Sequence, residues 1–152
     1  MTGEALGRVV VTGGAGFIGA NLCRFLVESG SAASVTAFDD LSTGLATNLH
    51  GLTGVDLVEG DIRDPAQLAT VLPGADAVVH LAARPSVPRS IQDPFASHDV
   101  NATGTLRVLE AMRAADVRHV VVASSSSVYG AIPELPKVET LTPMPVSPYA
   151  VS

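Results

Sequence analysis

One segment limits the fold of this chain more than any other. An apolar run at residues 8–11 leads straight into Thr12-Gly13-Gly14-Ala15-Gly16-Phe17-Ile18-Gly19, and Ile18, Leu22, Phe25 and Leu26 then recur at helical steps until Gly30. A strand that passes through glycines into an amphipathic helix opens a right-handed strand–helix–strand crossover. Four further β-branched runs lie at 34–38, 55–58, 76–80 and 119–123. Most are continuous rather than alternating, as parallel strands covered on both faces require. Helix starts fall between several of them. Asp64-Pro65-Ala66-Gln67 combines an N-cap, a first-turn proline and a capping-box glutamine, and its helix ends near Pro73-Gly74. Asp93-Pro94 opens a long helix through Val100, Leu106, Leu109 and Met112 to about Ala115, and Ser147-Pro148-Tyr149 opens another. The alternation predicts an α/β fold, a doubly wound parallel sheet with strand order 3-2-1-4-5. With 152 residues, one domain with its own core is expected.

The glycines at 13, 16 and 19 have separate jobs in such a turn. The first permits a tight bend, the second lets the backbone approach a pyrophosphate, and the third brings the helix close to the strand. The helix N-terminus adds unpaired N–H groups and a positive dipole end. Asp39 ends the second apolar run 20 residues beyond Gly19, a spacing that suits hydrogen bonds from a carboxylate to an adenosine ribose. A carboxylate there repels a 2′-phosphate, so Asp39, with Asp40 beside it, argues for NAD over NADP.

Charge excludes other partners. Fifteen acidic and nine basic side chains give a formal charge of −6, and Lys137 is the only lysine. This is no basic footprint for nucleic acid. No run of 18 apolar residues suggests a membrane span, and residues 1–8 lack the pattern of a signal peptide. A single cysteine, Cys23, excludes an internal disulfide and fits a reducing compartment, so a cytoplasmic location is expected. The histidines at 50, 80, 98 and 119 have no metal-ligand spacing, and no metal is expected. His80 is read as structural and Cys23 as a packed small hydrophobe.

Taken with Asp39-Asp40-Leu41-Ser42-Thr43-Gly44, Gly60-Asp61-Ile62, His80-Leu81-Ala82-Ala83 and Ser147-Pro148-Tyr149-Ala150, the glycine turn resembles the extended short-chain dehydrogenase/reductase family. Within it, the chain is most similar to nucleotide-sugar 4-epimerases of the UDP-glucose or UDP-N-acetylglucosamine type. The resemblance implies a Rossmann fold and NAD as cofactor. It implies that Gly13, Gly16, Phe17, Ile18 and Gly19 meet the pyrophosphate, and that Asp39, Asp40, Leu41, Ser42, Thr43 and Gly44 belong to the cofactor site. Asp61 and Ile62 would flank the adenine, Leu81, Ala82 and Ala83 would line the nicotinamide side, and Asn101 would lie near the cofactor. For Ile62 and Leu81, simple core packing is the alternative.

A free tyrosine titrates near pH ~10 and needs a cation to act as a base at neutral pH. A lysine four residues on would share its helix face, and the family's motif is this Tyr-x-x-x-Lys. Here Tyr149-Ala150-Val151-Ser152 stops one residue short. The expectation is therefore an NAD-binding domain over 1–152, truncated after the fifth strand, inactive alone and lacking a C-terminal substrate domain. The full-length protein would be a homodimer acting on a UDP-sugar. Aligned on Val128-Tyr129-Gly130, the family's substrate-orienting hydroxyl falls on Ser125, with Ser126 next to it, although a neighbouring serine of the run 124–127 is an alternative. Related 4,6-dehydratases carry Asp-Glu where Ser126 and Ser127 stand, and decarboxylases keep a Glu at the second position. Eliminating water needs an acid and a base, so the serines favour epimerisation. Arg84-Pro85-Ser86-Val87-Pro88-Arg89-Ser90 resembles a substrate-side loop, with Ser86 a candidate contact, and reads equally as a solvated surface loop. A module that binds NAD without catalysis is the other reading.

Overall fold

Successive side chains of a strand face opposite sides of its sheet, yet Val9, Val10 and Val11 are all buried. The first strand must therefore be covered twice. In the computed structural model, which describes residues 5–152, that strand is β1 (Leu6–Thr12). Val9 and Val11 pack with Ala20 and Cys23 of helix α1 (Phe17–Glu28) on one face. Val10 meets Leu68, Leu72, Val108 and Met112 on the other, from α2 (Pro65–Val71) with its C-cap and from α5 (Gly104–Ala114). The remaining strands are β2 (Ala32–Asp39), β3 (Val55–Glu59), β4 (Ala77–His80) and β5 (His119–Val122). Every pairing is parallel and the order is β3-β2-β1-β4-β5, as expected. Strand order reverses at β1, which puts a crevice at the carboxyl ends of β1 and β4. Among the described residues, no helix is long and apolar enough to cross a membrane.

Two local readings are corrected. Residues 84–90 are not wholly a loop, because Ser86 and Pro88 start a helix, α3 (Val87–Gln92), in which Ser86 Oγ accepts from Arg89 N–H. The expected long third helix is α4 (Pro94–His98) and α5 joined through a wider π-turn at Asp99–Thr103. At the sheet's edge β5 is exposed along its length, with Val121 64% accessible. A short helix, α6 (Pro148–Val151), is capped by Ser147 Oγ, which accepts from Ala150 N–H at 3.1 Å.

Leu68 is fully buried on the inner face of α2 and Leu106 is 58% accessible on α5. Leu68→Ala should lower the unfolding free energy by about 2–5 kcal/mol, whereas Leu106→Ala should stay within about 0.5 kcal/mol. Urea denaturation of both variants is the check.

Candidate functional site

The carboxyl ends of the strands surround a cleft of about 670 Å³. Of the residues expected there, Gly13, Gly16, Phe17, Ile18 and Gly19 line it, as do Asp39, Asp40, Ser42, Thr43, Asp61, Ile62, Leu81, Ala82 and Ala83. Leu41, Gly44, Asn101, Ser86, Ser125, Ser126 and Tyr149 stand outside its lining.

The glycine turn is built by close approach. Gly13 has a positive φ of 68°, and a Cβ there would lie 2.8 Å from Ala82 N. A Cβ on Gly19 would collide with the Gly13 carbonyl. Gly14, to which the glycine spacing assigns nothing, seats the turn on β2: its Cβ would fall 2.6 Å from Ala37 Cβ. Gly16 is the N-cap of α1 and carries no side chain to satisfy the first-turn N–H groups. These donors and the helix dipole therefore face the cleft unspent. Phe17 and Ile18 stand 83% and 69% accessible on that turn.

Asp39, buried at the end of β2, accepts from Ala15 N–H through Oδ2 and from Leu41 N–H through Oδ1, both at 2.9 Å. Each carboxylate oxygen has a second lone pair for another donor. Leu41 takes a positive φ of 55°, and a Cβ on Gly44 would crowd Asp39 Oδ1 at 2.9 Å. These two residues thus shape the loop that supports Asp39. Asp40 closes a local turn by accepting from Ser42 N–H and Oγ–H.

Beyond β3, Asp61 is bound by Arg63, whose guanidinium holds its carboxyl below the usual carboxylate range. Arg63 also reaches Asp99 at 2.9 Å, and the two carboxylates push its own pKa further up. The capping box at α2 forms only in part. Asp64 Oδ1 accepts from Ala66 and Gln67 N–H, but Gln67 Oε1 turns away to accept from Asp61 N–H at 2.7 Å. A glutamine read as a cap thus fixes a cleft residue. Ile62 realises both readings, since it lines the cleft while packed in the core at 5% accessibility.

Asn101 sits in the π-turn behind the β4 end, where its Oδ1 accepts from Arg84 N–H at 2.7 Å. Arg63, Arg84 and Arg89 also line the cleft. Sequence spacing carries no signal for Arg63, whose partners Asp61 and Asp99 come from separate elements. Ser125 accepts from Ser127 N–H and starts a 3-10 turn at Ser126–Tyr129, against which α6 packs. Ala123, two residues before Ser125, reaches the cleft. Tyr149 N–H donates to Ser90 Oγ of α3 at 3.0 Å. Cys23 is buried and its thiol is pushed up to about 11 by that burial, which makes it inert at neutral pH.

Residues 9–152 match the model of the NAD dependent epimerase/dehydratase family. A UDP-glucose 4-epimerase of Mycolicibacterium smegmatis is 45% identical over 149 residues, which cover 94% of this chain and 47% of that protein. A UDP-glucose 4-epimerase structure from Stenotrophomonas maltophila, with bound NAD and formylated UDP-arabinopyranose, superposes with a TM-score of 0.88 at 35% identity. That match covers 95% of this chain and 44% of the other. A dTDP-glucose 4,6-dehydratase structure from Streptomyces venezuelae with bound NAD superposes at 0.89 with 38% identity, over 95% of this chain and 47% of that one. The chain spans about half the length of these relatives.

The packing at the turn separates the glycines by experiment. Gly19→Ala should cost about 1–3 kcal/mol of stability through the backbone collision. At Gly16 the nearest obstacle to a Cβ is Gly13 O at 3.3 Å, so Gly16→Ala should cost less, about 1 kcal/mol or below, as for a poorer N-cap. Urea midpoints of the two variants, set against the parent chain, decide it.

Proposed function

The chain belongs to the NAD-dependent epimerase/dehydratase family, and from that membership we propose that it is the cofactor-binding half of a nucleotide-sugar 4-epimerase acting on a UDP-hexose. The observation that carries the cofactor part is the cleft itself. Uncapped N–H groups of α1 suit a pyrophosphate, the buried Asp39 carboxylate suits ribose hydroxyls, and close-packed glycines leave room for both. The residues present therefore fit NAD. Gly13, Gly16, Phe17, Ile18 and Gly19 would hold its pyrophosphate and Asp39 its adenosine ribose. Ser42, Thr43, Asp61 and Ile62 would enclose the adenine end, and Leu81, Ala82 and Ala83 the nicotinamide end. When bound, the group supplies a reversible hydride acceptor for the sugar's C4.

The protein's own work is proton transfer and orientation. Tyr149, as phenolate, would take the proton from O4, and Ser125 would hold that oxygen. The same phenol would return the proton once the sugar had turned over. Ser147 and Pro148 set the first turn of α6, and Ser90 fixes the Tyr149 backbone. The choice of epimerisation over dehydration rests on Ser126 and Ser127. Elimination of water beside C5 and C6 requires an acid and a base, and two hydroxyls offer neither near neutral pH. Arg84 and Arg89 line the cleft at its β4 end and, with Ser86 beside them in the chain, are assigned to the nucleotide sugar. A cytoplasmic homodimer of the full-length protein completes this reading.

The cofactor assignment is tested by titrating the chain with NAD and with NADP. NAD should bind more tightly, and Asp39→Ala should weaken it by about 10–100-fold, as expected for a hydrogen bond to a charged group. Circular dichroism should show the variant folded. The reaction is tested on the full-length protein with UDP-glucose, UDP-galactose and their N-acetyl forms. Tyr149→Phe should lower kcat by about 10²–10⁴-fold. Equal affinity for NAD and NADP overturns the role of Asp39, and a 4-keto-6-deoxy product overturns the epimerase assignment.

A further inference from the structure

Thr12, His80 and Thr105 form a row behind the β4 wall of the cleft, and their hydrogen atoms can be assigned from geometry. His80 ends β4 and is 3% accessible. Its Nδ1 lies 2.6 Å from Thr12 Oγ1 and its Nε2 2.9 Å from Thr105 Oγ1. A hydroxyl has one hydrogen, and that of Thr105 is spent on the Asn101 carbonyl at 2.5 Å. Thr105 Oγ1 must therefore accept from His80 Nε2–H. A neutral imidazole has one N–H, so Nδ1 is an acceptor and Thr12 Oγ1–H donates to it. Thr12 Oγ1 then accepts from Ala82 N–H at 3.2 Å and shares Leu81 N–H, also at 3.2 Å, with the Thr12 carbonyl at 3.1 Å. Every hydrogen in the row points one way.

Any other protonation breaks the row. A second proton on Nδ1 would aim at a hydroxyl oxygen that already takes Ala82 N–H and shares Leu81 N–H, and would turn the Thr12 hydrogen away from the imidazole. The Nδ1–H tautomer would require Thr105 to abandon Asn101. Thr12, Val122 and Thr105 face His80 from β1, β5 and α5, and none carries a charge. Burial alone pushes the imidazole's pKa down.

The segment Leu81–Arg84 is neither helix nor strand, and beyond the bond of Leu81 N–H to the Thr12 carbonyl its backbone is held by side chains. Thr12 takes the N–H groups at its start, and Asn101 Oδ1 takes that of Arg84 at its end. The carbonyl of the same Asn101 receives the Thr105 hydroxyl. We propose that His80 is a positioning residue of the cofactor cleft, held as the neutral Nε2–H tautomer in a one-way relay from Leu81 and Ala82 through Thr12, His80 and Thr105 to Asn101. The relay clamps the wall segment Leu81–Arg84 at both ends. The functional part of this assignment rests on the dinucleotide reading above, whereas the tautomer does not.

The test is long-range ¹H–¹⁵N NMR on the free 152-residue chain from about pH 5.5 to about pH 8, across the ordinary imidazole range. His80 should show a protonated Nε2 and a bare Nδ1 throughout. Thr12→Val keeps the side chain's shape and removes the hydroxyl. It should speed hydrogen exchange at the Ala82 amide by about tenfold or more and weaken NAD by a similar factor, as for one lost hydrogen bond. Thr12→Ser should restore both. An Nδ1–H tautomer, an imidazolium within that range, or a Thr12→Val variant with unchanged exchange and affinity overturns the proposal. Should Thr12→Val not fold, the tautomer and its pH independence in the parent chain decide. A parent chain that binds no NAD overturns the cofactor reading instead, while tautomer and exchange, read in the free protein, still judge the relay.

Discussion

The arrangement depends on a backbone packed against backbone. The turn between β1 and α1 passes between the ends of β2 and β4, where Gly13 N–H donates to Phe38 O at 2.8 Å and its Cα faces Ala82 N. Gly14 rests on Ala37 and Gly19 on the Gly13 carbonyl. Side chains at these points would push the helix off the sheet by more than the van der Waals surfaces allow. Once the turn is seated, Ala15 N–H comes within 2.9 Å of Asp39, so the glycine turn and the acidic residue on the next strand form one assembly. The cleft is what remains in front of them.

At the glycine turn, electrostatics favour an anion held by backbone rather than by side-chain cations. Arg63 is spent on Asp61 and Asp99, and Arg84 leans towards Asp93 at 3.6 Å. Such partly exposed pairs add little stability, but they leave the N–H groups at the start of α1 as the fixed positive field nearest the turn. A chain of net charge −6 can thus receive a negatively charged ligand, because the donors are local and oriented.

Elements whose signals lie close together in sequence were legible, and contacts made across long separations were not. The glycine spacing, the continuous apolar runs and the Asp-Pro and Ser-Pro starts predicted the strand order and most helices, since each is fixed within a few residues. Helix α3 escaped because Pro88 reads as a loop signal until Ser86 is seen to cap it. The π-turn at Asp99–Thr103 has no periodic signature of its own. Gln67 at a capping-box position turned to Asp61 because the β3 end delivers an unpaired N–H there. The Thr12–His80–Thr105 row joins residues 68 and 25 positions apart, and only the parallel pairing of β1 with β4 brings the first two together.

The same half-chain architecture superposes equally well on an epimerase and on a dehydratase. Overall likeness therefore cannot choose between them; function is decided by side chains at the reacting atoms. In the proposed reading those side chains follow β5, in the turn from Ser125 to Tyr129, and lie on α6 against it. The two features differ in how firmly they are held. Ser125, Ser126 and Ser127 sit beyond the exposed β5 edge, outside the two buried clusters, where substitution disturbs little packing. Tyr149 is tied through its backbone to the buried Ser90. A fold that buries the frame of its cleft and leaves the segment after β5 at the sheet's edge can vary that segment without repacking its core.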